Sequence, residues 1–235
     1  MARLPQVLRF AIQFCDGMIH VFSKGITAHR DIKPTNCLIT EDKILKVTDF
    51  GLAKLLTEAE PDDAQESSGL GVQKKPSGFL GRLFGRREGI VSGGSAKPLD
   101  AGFTRTGAGA GTPPYMAPEQ FDDLKRADIR ADIYSFGVML FQMTTGKLPF
   151  AGNSWEEFKR RHQAEAPPKL NTGNAKLEEI VQTCLAKPRA MRFQDFIPLR
   201  ETLVEVYLGL TGKEAPSPTF AYLNNERASS VALAQ

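Results

Sequence analysis

Cysteine is scarce in this chain of 235 residues, and the three present, Cys15, Cys37 and Cys184, have neither the spacing of a zinc site nor the density of a disulfide framework. They read as reduced, buried, small hydrophobes of a cytoplasmic protein. Long apolar runs are missing too. None approaches the roughly 18 residues that a membrane-spanning helix needs, so no membrane partner is expected. Near the start, Arg9, Gln13 and Asp16 interrupt the apolar stretch, which reads as an amphipathic helix and not as a signal peptide. An excess of one charge is also lacking. Thirty Lys and Arg stand against 27 Asp and Glu, and a net charge of +3 carries no electrostatic footprint for nucleic acid. Internal repeats are absent.

Helical periodicity begins after Pro5, which suits a first helical position. Leu8, Ala11, Ile12, Cys15, Ile19 and Phe22 follow one stripe, while Phe10, Phe14 and Val21 are apolar on another face. That helix should be buried nearly all round and stop at Gly25. "CLIT" and "LKVT" are β-type runs joined by "EDKI", a hairpin signal. From 55 to 109 periodicity collapses into Gly and Ser, acidic at first and basic later, which predicts a disordered insert. Order returns at "GTPPYMAPEQF". "DIYSFGVMLFQMTTG" reads as a buried helix ending at Gly146, and Ser154 with Glu157 fits a capping box opening another. Stripes at Leu177, Ile180, Val181, Cys184 and Leu185, and at Leu203, Val204, Tyr207 and Leu208, predict two more helices. After 210 a Pro/Ser linker leads to "AYLNNERASSVALAQ", which resembles the first helix of a helical repeat. Trp155 reads as packing, and His20 and His162 as ordinary helix residues.

The chemistry is concentrated in "HRDIKPTN" at 29–36 and "DFG" at 49–51. Phosphoryl transfer requires an oriented nucleophile, clamped phosphates and neutralised charge, and little covalent help from the protein. An Asp can accept a hydroxyl proton, a Lys two residues on can face the phosphate, and an Asn and a second Asp offer hard oxygens to Mg²⁺. Asp31, Lys33, Asn36 and Asp49 appear in that order at hairpin separation.

These segments, with "GTPPYMAPEQ" (111–120), "DIYSFG" (132–137) and "CLAKPRAMR" (184–192), resemble the C-terminal lobe of eukaryotic-type Ser/Thr protein kinases of the kind also found in bacteria. The resemblance covers roughly 5–210, apart from the insert. It implies an α+β, predominantly α fold: a kinase C-lobe at 1–210 with small β-hairpins and an activation segment expanded at 55–109, then a linker and the start of a helical extension at 211–235. It implies ATP and Mg²⁺ as cofactors and protein Ser/Thr as substrate. By motif, Asp31 is similar to the catalytic base, Lys33 to the lysine at the γ-phosphate, and Thr112 to the activation-segment threonine that bonds the catalytic loop. Asn36 and Asp49 resemble the metal ligands, Leu38 the residue beneath the adenine, and Thr48 the one before the metal-binding Asp. His29 and Phe50 resemble spine residues. Asp132 resembles the helix aspartate that anchors the catalytic loop, and Glu119 with Arg192 the buried pair that fixes the activation segment. Arg30 marks the subclass in which an activation-loop phosphate meets this arginine, with Thr104 and Thr106 as the nearest acceptors.

The family also has a β-rich N-terminal lobe with a Gly-rich loop, a strand lysine and the adenine-reading hinge. No G-x-G-x-x-G precedes Asp31. The expectation is therefore a C-lobe with its N-lobe absent, weak or inactive alone, whose partner is a separate N-lobe or a missing upstream segment. The alternative is a truncated, kinase-like regulatory or binding module without catalysis. A small-molecule kinase of related fold is disfavoured by Lys33, the "APE" at 117–119 and Arg192.

Overall fold

The computed structural model describes residues 4–50 and 112–215. The expected insert at 55–109, with Thr104 and Thr106, and the extension past 215 lie outside the described residues. Within them the chain is mostly helical with one two-stranded sheet. Helix α1 (Leu4–Ser23) is followed by strands β1 (Cys37–Ile39) and β2 (Leu45–Val47). Then come α2 (Ile129–Thr145), α3 (Trp155–Ala164), α4 (Ala175–Cys184) and α5 (Phe196–Thr211).

Helix α1 is sunk into the core through Met18, with both apolar faces covered as the two stripes predict. Its later residues Ile19 and Phe22 are only partly buried. Two of the polar residues that break the apolar run, Gln13 and Asp16, are buried as well and tie the helix to its neighbours. The Gln13 Oε1 accepts from the Leu45 N–H at 2.9 Å, joining α1 to β2. Asp16 pairs with Arg200, joining α1 to α5. All three cysteines are buried and free, and burial pushes the Cys37 thiol up to about 12.

Helix α2 is the hub. Phe136 stacks on Phe14 of α1, with ring centroids 4.9 Å apart, and meets Phe196 of α5 edge-on at 6.2 Å. Beside it Gly137 permits a close approach of α4, because a Cβ there would sit 2.6 Å from that of Cys184. Asp128 caps the start of α2 through the Arg130 N–H, and Gly146, at φ +77°, ends it in the left-handed region.

The hairpin β1–β2 is antiparallel, with Leu38 opposite Lys46. It is the only β structure among the described residues, against the two or three small hairpins expected. Pro113, Pro114 and Pro118 withhold backbone donors, and the chain around them winds into single helical turns at Pro113–Tyr115 and Pro118–Phe121. Two local expectations shift. The Ser154 hydroxyl accepts from the Glu157 N–H, but Glu157 returns its bond to Asn153, one residue before the cap. On α5 the buried residues are Phe196, Leu199, Leu203 and Val206, whereas Leu208 of the expected stripe is exposed.

Trp155 packs edge-on against Phe121, at 5.0 Å. His162 is no ordinary helix residue: it is fully buried among Phe121, Phe150, Phe158 and Tyr134. The Tyr134 hydroxyl lies 2.9 Å from Nδ1, and Lys187 Nζ donates to that hydroxyl at 3.4 Å. Burial first, then the positive Lys187, lowers the imidazole to about 3, against a weak opposing pull from the Pro114 backbone. Its folded pKa lies below the unfolded value, so the stabilisation it brings is whole above pH 6.5 and fades as pH falls toward 3. Urea unfolding should therefore show about 3 kcal/mol less stability from this group at pH 4 than at pH 7. His162→Phe should lose that part of the pH dependence; parallel pH profiles for the two proteins would contradict this.

Candidate functional site

The loop 28–36 lies between α1 and β1 and is held from below by α2. Asp132, in the first turn of α2 and 1% exposed, accepts from the His29 N–H at 2.6 Å and the Arg30 N–H at 2.8 Å. Burial pushes its carboxyl up to about 7, while these two donors pull the other way. The clamp carries a backbone cost. Arg30 sits at φ +68° and Asp49 at φ +70°, both in the left-handed region that side chains other than glycine rarely adopt. Both strained residues flank the proposed chemistry.

His29 is fully buried and packs against Phe50, with ring centroids 4.5 Å apart and the planes tilted by 52°. Its Nδ1 accepts from the Asp31 N–H at 3.4 Å, so Nε2 carries the proton and donates to the Thr48 carbonyl at 3.0 Å. Burial lowers its pKa, against the Thr48 carbonyl and the charges of Asp31 and Asp49. Thr48 in turn ties the hairpin to the loop, because its N–H and hydroxyl both donate to the Asn36 carbonyl, at 2.9 and 3.1 Å. The "HRD" and "DFG" segments thus meet through one imidazole and one threonine.

Three side chains converge on the Asp31 carboxylate. Lys33 Nζ lies 2.8 Å from Oδ2, the Thr112 hydroxyl donates to Oδ1 at 3.1 Å, and Asn36 Nδ2 donates to Oδ2 at 3.2 Å. Lys33 also donates to the Thr112 hydroxyl at 2.7 Å, and Asn36 Nδ2 to the Asp31 carbonyl at 2.8 Å. Neither bond of Asn36 engages its Oδ1. That oxygen and the Asp49 carboxylate are hard donors of the kind Mg²⁺ takes, so the residues present fit that ion. Leu38, on β1 immediately beyond Asn36 and Cys37, is 52% exposed. An apolar face there is available to a flat ring.

Glu119 and Arg192 form a two-pronged pair at 2.8 and 2.9 Å, with the Arg192 side chain wholly buried. The same guanidinium donates to the carbonyls of Ala186, Lys187 and Arg130 at 2.8 to 3.0 Å, so all five of its N–H groups are used. Hydrogen bonds and one ring contact join His29, Asp31, Lys33, Asn36, Thr48, Phe50, Thr112 and Asp132 into one connected region. Gln120 belongs to it too and was not anticipated. It is 3% exposed, and its side chain bridges Ala117 and Arg30. A glutamine after "APE" offers no sequence signal; only its burial in space marks it.

Comparison with known proteins agrees with this arrangement. A family model described as protein tyrosine and serine/threonine kinase matches residues 1–74, and one described as protein kinase domain matches residues 93–204. Serine/threonine-protein kinases drp72 of Corynebacterium efficiens is 31% identical over 218 residues, covering 92% of this chain and 34% of that protein. PknA of Corynebacterium glutamicum is 31% identical over 92% of the chain and 40% of its own length. Serine/threonine-protein kinase A of Synechocystis is 32% identical over 79% and 30%. The chain thus spans about a third of the length of the curated relatives it matches.

Proposed function

The chain belongs to the protein kinases, of the Ser/Thr kind found in bacteria, and we propose that its Asp31 site transfers the γ-phosphoryl group of ATP to a Ser or Thr hydroxyl of a protein. The observation that carries this is the convergence of Lys33, Asn36 and Thr112 on one carboxylate beside the Asp49 turn.

In this reading Asp31 orients the acceptor hydroxyl and takes its proton as the new P–O bond forms and the bond from the γ-phosphorus to the leaving ADP oxygen breaks. Thr112 and Asn36 hold the carboxylate in place for that step. Lys33, already beside Asp31, presents an ammonium to the transferring phosphoryl oxygens. Asn36 and Asp49 would hold Mg²⁺, which neutralises phosphate charge when bound. Leu38 would lie under the adenine. Thr104 or Thr106, once phosphorylated, would meet Arg30, whose Nε is already turned to the Ala127 carbonyl at 3.2 Å. Among the described residues no helix is long and apolar enough to cross a membrane.

A mostly helical body with one small sheet is compatible with the larger lobe of such an enzyme, and that is the part we assign to it. The Gly-rich loop and strand lysine would come from a further segment. These 235 residues alone should bind Mg-ATP weakly and transfer phosphate near background. Joined to the nucleotide-covering lobe of a Corynebacterium relative, they should label Ser and Thr in a protein acceptor from radiolabelled ATP. Low-micromolar ATP affinity with steady turnover by the chain alone would contradict the single-lobe part. No labelling by the joined protein would contradict the enzymatic part and favour a non-catalytic binding module.

A further inference from the structure

We propose that Gln120 is a positioning residue that couples the proline-rich segment 112–121 to the catalytic loop by holding the peptide that precedes Asp31. The functional meaning of that placement rests on Asp31 being the proton acceptor.

The peptide between Arg30 and Asp31 is gripped at both ends. Its carbonyl, on Arg30, accepts from Gln120 Nε2 at 3.1 Å. Its N–H, on Asp31, donates to His29 Nδ1 at 3.4 Å. The preceding peptide is held through the Arg30 N–H by Asp132. With Arg30 in the left-handed region, rotation of either peptide plane is the relaxation open to the loop, and it would swing the Asp31 side chain. Gln120 blocks that rotation from the carbonyl side.

The other end of the amide faces the opposite way. Gln120 Oε1 accepts from the Ala117 N–H at 2.8 Å. One buried side chain therefore satisfies a backbone acceptor in the loop and a backbone donor in the segment. Its own turn is immobilised by its neighbour Glu119, bound to Arg192. Segment 112–121 thus reaches Asp31 twice: through Thr112 on the carboxylate and through Gln120 on the peptide. A change at the proline turn is transmitted to Asp31 along both.

The two bonds can be separated chemically. Gln120→Glu keeps size and the oxygen that Ala117 needs, but replaces the donor to Arg30 with an acceptor. Gln120→Met keeps volume and removes both bonds. Residue-resolved amide exchange by NMR on the 235-residue chain, with urea unfolding measured alongside, tells the coupling from mere packing. Gln120→Glu should speed Asp31 amide exchange at least tenfold and move its resonance while Ala117 stays protected. Gln120→Met should release both amides. If Asp31 is unaffected in both variants, already exchanges freely in the parent, or changes only in proportion to global stability together with Ala117, the proposal is overturned. Because the readout is exchange and not phosphoryl transfer, failure of the catalytic reading would leave this result standing, and the reverse also holds.

Discussion

Asp31→Asn should lower phosphoryl transfer on the order of a thousandfold in the protein joined to a nucleotide-covering lobe, the scale expected when a positioned base is removed. Asparagine is nearly the same shape, and its single side-chain oxygen can still accept from the Thr112 hydroxyl, whereas the amide nitrogen that replaces Oδ2 gives up the bond from the Asn36 amide. What is lost is the proton acceptor and the negative partner of Lys33. Affinity for ATP should change little, because Asp31 is not assigned to the nucleotide or the metal. Asp49→Ala should cost a comparable factor by another route, removal of a metal ligand, and its defect should deepen as Mg²⁺ is lowered. Single-turnover transfer at two Mg²⁺ concentrations separates the two. A rate within tenfold of the parent for either variant would remove the role assigned to that residue.

The second large effect concerns stability. Arg192→Leu should destabilise the chain by about 3–5 kcal/mol, the usual cost of leaving a buried charge without its partner. Glu119 would keep its carboxylate in a largely covered site, and the carbonyls of Ala186, Lys187 and Arg130 would each lose a donor. For a domain of this size that corresponds to a drop on the order of 10 °C in melting temperature. Arg192→Lys should not rescue it, since three donors on one ammonium cannot replace a planar fork that serves five acceptors. Urea unfolding of both variants checks this; a loss below about 1 kcal/mol would mean that the pair is not what ties the 113–121 turn to the segment after α4.

Much of this was legible in the sequence, for reasons that differ by residue. The site residues lie in short motifs whose order alone brings them together: Asp31, Lys33 and Asn36 share one loop, and a hairpin of minimal length returns the chain to Thr48 and Asp49. Helix limits were legible where a residue has one conformational use, as at Gly146, at φ +77°. The buried face of α5 was not, because Leu208 and Val206 are equally apolar and only the direction of α1 decides between them. His162 escaped because most of its nest comes from positions 121, 134 and 150, on three separate stretches that no periodicity links, and only Phe158, one turn back on α3, shares its helix. Gln120 escaped for the same reason: its partner Arg30 is 90 residues away. The prolines of the 113–118 turns were visible, but the turns they would make depend on the backbone donors they withhold.

The central claim is that a carboxylate held by Lys33, Asn36 and Thr112 serves protein phosphorylation. It is tested most directly by giving the joined protein radiolabelled ATP and a mixture of Ser-, Thr- and Tyr-bearing peptide acceptors with small sugars and amines, for the parent and for Asp31→Asn. Label is expected on Ser and Thr peptides from the parent, with a loss on the order of a thousandfold in the variant. Label on the small molecules, or equal labelling of peptides by parent and variant, would contradict it.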